Sequence, residues 1–184
     1  NTQGIGALVA GMNRWNLIKP YRPFIGLQNF AKIFEDKTFG VALVNTTIFT
    51  IIVVLVSVIL ALLLALALKK KSRIGSFYEF AYFLPFVIPM VPVSIIWKWL
   101  YDRTYGVVNF VLTSIGLKAV GWLTDPDIAL YSIIIMSIWK VLGYYMVLFL
   151  VGLRNIPEQY YEAAAVDGAV GWNSFRHITF PLLK

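Results

Sequence analysis

Three long apolar stretches, separated by shorter polar segments, organise the chain. The first carries no formal charge from Thr38 to Leu68. About 20 helical residues cross a hydrocarbon core of ~30 Å, so this stretch predicts a membrane-spanning helix over about 39–68, with length to spare for tilt. Lys69, Lys70, Lys71 and Arg73 close it abruptly. Ser57, Ala61 and Ala65 recur at i, i+4 and i+8, a seam of small side chains that lets another helix come close. The second stretch predicts a span over about 80–100. Pro85, Pro89 and Pro92 share one helical face. Each removes a backbone donor, so the helix must kink or open there, against protein or a wet cavity. The bend then either lines a path or only shapes packing. Trp97, Trp99 and Tyr101 suit an interfacial belt. A polar connection from Tyr101 to Asp127 ends in Thr124-Asp125-Pro126-Asp127, a helix-start signal. The third span is predicted over about 128–150.

Lys140 interrupts that third span. It has three readings: an intramembrane cation facing a pathway, the partner of a carboxylate on another span, or a side chain snorkelling to the interface. Lys and Arg density gives an orientation. Segments 69–79 and 154–184 hold seven in 42 residues, against eight in the 68 residues of 1–38 and 98–127. The denser pair is expected on the cytoplasmic side.

Composition agrees with the pattern. Of 184 residues, 59% are hydrophobic and 14% charged, far from the roughly 25% charge of soluble domains. A soluble enzyme, a disordered tail and a coiled coil are therefore excluded as first readings, and an all-α, polytopic transmembrane helix bundle is expected. No Cys is present and His177 is the single His, so thiolate chemistry and a His-based metal site have no ligands. The net charge of +7 is spread beside apolar runs rather than along one stripe, so nucleic acid is not an expected partner. The sequence opens on Asn1 rather than Met, and Lys184 directly follows Pro-Leu-Leu. The expectation is a fragment, with Gly4 to Met12 the end of a preceding span.

The stretch after the third span reads as helix, glycine turn, helix. Pro157 and Glu158 suit a first helical turn, and Ala163, Ala164 and Ala165 are strong helix formers. Gly168 can take the left-handed conformation that ends a helix, and Asn173 can cap a second short helix through Ile178. Glu158, Glu162 and Asp167 offer acceptors to a basic partner, with Tyr160, Tyr161, Phe175 and Phe180 as anchors. The alternative is an amphipathic segment lying on lipid headgroups.

Glu162-Ala163-Ala164, Asp167-Gly168-Ala169, Phe175, Ile178 and Pro181-Leu182-Leu183 together resemble the EAA loop of binding-protein-dependent ABC importer permeases. Gly26-Leu27-Gln28-Asn29-Phe30, Asn45-Thr46-Thr47, Trp97-Lys98-Trp99-Leu100, Trp139-Lys140 and Leu153-Arg154-Asn155-Ile156-Pro157 are similar to the carbohydrate-uptake branch. Within it they look like the maltose- and glycerol-phosphate-type first permease. The resemblance implies a six-helix core with cytoplasmic termini, of which the second, third and fourth spans lie here. It implies one permease domain: a remnant and extracytoplasmic segment over 1–38, three spans within 39–153, and a cytoplasmic EAA loop over 154–184. It implies a multi-pass subunit of the cell membrane that delivers a sugar with an ABC ATPase dimer, a second permease and an extracytoplasmic solute-binding protein. Glu162, Ala163, Ala164, Asp167, Gly168 and Ala169 would meet the ATPase.

The chain is then no enzyme and carries no cofactor. It lacks a G-x(4)-G-K-[S/T] phosphate loop, so ATP and Mg belong to the partner ATPase. Asn45, Thr46, Lys140, Tyr144 and Tyr145 are candidates for the translocation path. The rivals are an ion-coupled secondary transporter, for which the three spans offer no carboxylate, and a membrane scaffold without transport.

Overall fold

The computed structural model describes residues 12–13, 24–70, 72–166 and 168–183. The apolar stretch beginning at Gly4 lies outside these except for Met12. The chain divides into two compact units, Asn1–Ile48 and Phe49–Lys184. In the first, Asn13 bridges Phe24 and the Asn29 amide donates to Asn13 O at 3.2 Å. A helix absent from the sequence reading follows, α1 (Gln28–Glu35). Asp36 separates it from α2 (Lys37–Leu68), and its carboxylate accepts the Thr38 N–H at 2.8 Å. Residues of α2 up to Ile48 belong to the first unit, the rest to the second.

The second unit continues with α3 (Arg73–Val87), α4 (Met90–Leu100), α5 (Val107–Ser114), α6 (Pro126–Asn155) and α7 (Glu158–Val166). A last helical element, α8 (172–182), is built from Trp172–Ser174, a π-helical turn Phe175–Thr179 and Phe180–Leu182. Among the described residues α2 and α6 are long and apolar enough to cross a membrane, and α3 with α4 makes a third, bent candidate. The all-α transmembrane architecture is therefore the one observed.

The second apolar stretch starts earlier than its hydropathy predicts. Ser72 is extended and its hydroxyl accepts the Gly75 N–H at 2.9 Å, so the polar residues from Arg73 are already helical. The stretch is also two helices. It breaks at Ile88-Pro89, and α4 leaves α3 at 101°. Asp125 caps α6 as its sequence predicts, accepting the Asp127 N–H at 3.0 Å, with Pro126 in the first turn.

The connection after α4 holds a helix, α5, that its β-branched residues obscured. Buried Asn109 fastens it. The amide donates to Asp102 O, Arg103 O and Val120 O, while Oδ1 accepts from Val120 N and Trp122 Nε1 at 3.0 Å each. Every hydrogen-bonding position of that side chain is thus used. Tyr101 joins the connection to α6 through a hydroxyl bond to Ser132 O at 3.1 Å.

Helix α6 organises the unit. Ala61 and Ala65 on α2 are fully buried with Met146, Leu150 and Leu153 of α6, so the small-residue seam receives that helix's large side chains. Helix α6 also packs on α3, where Gly143 lies against the Tyr82–Phe83 backbone. A Cβ at Gly143 would overlap the Tyr82 carbonyl. Close approach of the two backbones requires glycine there.

Candidate functional site

Helix α7 follows the third span after a short bend, with Pro157 immediately before its first residue. Glu162, Ala163, Ala165 and Val166 are exposed and Ala164 is buried. A helix turns ~100° per residue, so the alanines face in different directions. Ala164, expected with Ala163 to let a partner approach closely, is buried in this chain. The helix ends as the glycine predicts. Gly168 has φ +77°, its N–H bonds Ala165 O at 3.1 Å, and Ala169 N bonds Ala164 O at 2.7 Å. These two bonds form a Schellman closure. Nothing lies near a Cβ built at Gly168, so its requirement for glycine is conformational. Asp167 lies outside the described residues.

One expectation about the second helix is corrected. Asn173 does not cap it. Gly171, at φ +59°, precedes the helix, and Asn173 sits inside it with its carbonyl on His177 Nδ1 at 2.9 Å. Pro181 explains the wide turn that follows. It cannot donate to the residue four before it, and Phe180 N–H bonds Phe175 O, five residues back.

The loop is tied to the spans by contacts the sequence reading missed. Lys69 Nζ sits 3.7 Å from the centre of the Tyr161 ring, and the Tyr161 hydroxyl shares a 3.1 Å hydrogen bond with Thr179 Oγ1. One aromatic side chain therefore joins the end of α2, helix α7 and the π-helical turn. Arg154, near the end of α6, pairs with Glu79 of α3. Its Nη1 donates to Oε2 at 3.2 Å and its Nη2 to Oε1. The same guanidinium donates to Leu68 O at 3.1 Å and Lys69 O at 3.3 Å, closing the C-terminal end of α2. A cleft of about 740 Å³, lined by Lys69, Lys70, Arg154, Glu158 and Tyr161 among others, opens there. The signal for the ion pair was present. Glu79 is the single acid between Asp36 and Asp102.

The path candidates divide between the units. Asn45 and Thr46 are exposed on the first-unit part of α2. Lys140, Tyr144 and Tyr145 lie together on α6. Tyr144 stacks on Phe86 with ring centres 4.6 Å apart and meets Tyr145 edge-on at 5.6 Å. Lys140 Nζ donates to backbone carbonyls of Pro85, Phe86 and Ile88 at 3.2, 3.4 and 2.7 Å. No carboxylate partners it among the described residues. No cluster of His, Asp and Glu that could hold a metal ion occurs among them either.

Membrane-length helices, a broken span and an exposed helix–glycine–helix loop define a polytopic membrane protein. The model of the binding-protein-dependent transport system inner membrane component family matches residues 57–184, and the chain belongs to that family. It is 38% identical to a "Probable ABC transporter permease protein" of Pyrococcus horikoshii, over 92% of this chain and 59% of that protein. It is 33% identical to a trehalose/maltose transport system permease protein of Thermococcus litoralis, over 90% of this chain and 56% of that protein. A solved bacterial alginate ABC transporter, in complex with an alginate pentasaccharide-bound periplasmic protein, has a subunit that superimposes with a TM-score of 0.78 at 30% identity. The match covers 86% of this chain and 56% of that one. The chain thus spans between half and two thirds of the length of these relatives.

Proposed function

We propose that the chain is part of the translocation subunit of an ATP-driven, binding-protein-dependent importer of sugars or sugar-like solutes. It performs no covalent chemistry. ATP and Mg are held by a dimeric ABC ATPase, a second permease subunit completes the path, and an extracytoplasmic binding protein supplies the solute. Residues 154–184 are the cytoplasmic loop that seats in the ATPase. Glu162 makes a polar contact there, Ala163 permits close approach, and Ala164 secures α7 from behind. Gly168 makes the turn, and Asp167 and Ala169 beside it in the sequence belong to the same ATPase-facing stretch. Lys140, Tyr144 and Tyr145, with Asn45 and Thr46, are the residues proposed along the path.

One observation carries the docking reading. Val166, Val170 and Trp172 flank the Gly168 turn and are 89%, 66% and 70% exposed, although they lie beyond the end of α6. Apolar side chains left open beside acidic acceptors suit a protein partner. The relatives' transport of disaccharides and of an oligosaccharide supports sugars as the solute class. The driving subunit can shift the conformational balance only through contacts that differ between the states, and a rigid loop end is a way to make them.

Gly168→Val in the full-length permease tests this. A β-branched residue is strained at φ +77°. Binding-protein-dependent uptake is expected to be lost while the permease still inserts and accumulates in the membrane. Uptake at the normal rate would remove the turn from the coupling path.

A further inference from the structure

We propose that the Lys140 ammonium is a tethered cation that closes the break in the second apolar stretch, so that Lys140 is the positioning residue for the bend between α3 and α4. In an unbroken helix the N–H of each residue bonds the carbonyl four residues earlier. Pro89 and Pro92 have no N–H. The carbonyls they leave without donors are those of Pro85 and Ile88. Those are two of the three that Lys140 Nζ reaches, at 3.2 and 2.7 Å, with Phe86 O at 3.4 Å the third. The spacing of the prolines therefore predicts which oxygens need a donor, and a side chain 52 to 55 residues away provides it.

The chemistry matches in number and sign. An ammonium has three N–H donors and no acceptor. A helix C-terminus gathers partial negative charge. Within a hydrocarbon layer no bulk water replaces a missing donor, so each orphaned carbonyl is costly. Two contacts hold Lys140 in place. Gly143, one turn along α6, packs against the Tyr82–Phe83 backbone, and Tyr144 stacks on Phe86 at the break itself.

Carbonyls exposed by a broken helix are the kind of group that binds a dissociable cation in ion-coupled transporters. Here the cation is covalently attached and cannot be released. The bend is then a permanent feature rather than one that waits for an ion. This inference concerns the folding of the spans and stands independently of the coupling proposed for residues 154–184.

The test uses the full-length permease assembled in its complex. Lys140→Met is compared in the natural background and with Pro89→Ala/Pro92→Ala, where backbone donors return and a continuous helix becomes available. In the natural background Lys140→Met should shift the folding equilibrium against the folded permease on the order of tenfold. In the alanine background the shift should be much smaller. Lys140→Arg, which still donates, should retain most of the natural behaviour. Equal losses in both backgrounds would overturn the proposal. Should Lys140→Met fail to accumulate, Pro89→Ala/Pro92→Ala must recover folded material, and no recovery would overturn it equally.

A second measurement reads the bend directly. Spin labels at Tyr78→Cys and Ile96→Cys, both exposed positions on either side of the break, should give a defined distance with Lys140 or Lys140→Arg. The distribution should widen or shift with Lys140→Met. An unchanged distribution, even with uptake lost, would overturn the positioning role and leave Lys140 a path residue alone.

Discussion

Helix α6 carries two cations about four turns apart, and both reach the carbonyls that end another helix. They are neutralised differently. Arg154 closes α2 through Leu68 O and Lys69 O and also pairs with the Glu79 carboxylate. Lys140 meets carbonyl oxygens alone. Arg154 lies near the end of its span, where a carboxylate is cheaply kept ionised. Its planar fork serves a carboxylate and two carbonyls at once. Lys140 lies mid-helix, where a second formal charge would itself need desolvation. A compact ammonium among converging dipoles avoids that cost. Near the helix end the cation takes a carboxylate as well as carbonyls, and in mid-helix it takes carbonyls alone.

The largest effect in this comparison belongs to a residue that is neither cation. Both contacts depend on α6 lying directly on α3, and Gly143 allows that approach. Gly143→Val must separate two backbones, because the obstacle is the Tyr82 carbonyl rather than a movable side chain. The expected cost is about 3 kcal/mol or more, at or beyond the upper end of overpacking penalties. The folded yield of full-length permease after gentle extraction would show it. A yield like that of the natural protein would mean the helices do not touch there.

Arg154→Met should cost less, about 2 kcal/mol, because it leaves Glu79 and two helix-end carbonyls without their donor. The side chains of Arg154 and Glu79 are 24% and 22% exposed, so water moderates the loss. A thermal unfolding series with Arg154→Met, Glu79→Gln and the double variant measures the pair. The double variant should be less destabilised than the sum, and strict additivity would dissolve the ion pair as a stabilising element.

The smallest effect lies outside the spans. Asp102 accepts the N–H groups of Tyr105 and Thr104, each at 2.8 Å, and these bonds hold its carboxyl below the usual carboxylate range. A lowered folded-state value adds stability at pH above the ordinary Asp range, lost as pH falls through the folded value. Amide exchange at Thr104 and Tyr105 should therefore stay slow in mild acid and quicken only below that range, after correction for intrinsic pH dependence. Asp102→Asn should remove the acid transition, and its persistence would place the titrating group elsewhere.

Much of this was legible from local chemistry. The uncharged run ending in Lys69 and Lys70 marked α2, and Asp125-Pro126 marked the start of α6. Gly168 predicted a left-handed helix end because few other residues tolerate one. Helix α5 was not legible, since Asn109 stabilises it through partners as far on as Val120 and Trp122. Asn173 misled for a related reason. Its type favours a cap, but Gly171 and Pro181 set where that helix begins and how it winds.

Local sequence was enough to set where the chain must leave water, where α2 ends and α6 begins, and that the proline-containing span could not stay whole. Those outcomes follow from hydropathy and from backbone donors present or missing within a few residues. Which groups satisfy what the prolines and helix ends leave open was settled by the packing of the helices. It chose Lys140 for the break, Arg154 for the end of α2, and Tyr161 to join Lys69 to Thr179. Those partners are far apart in the chain, and a hydrogen bond depends on direction and distance that only packed helices fix.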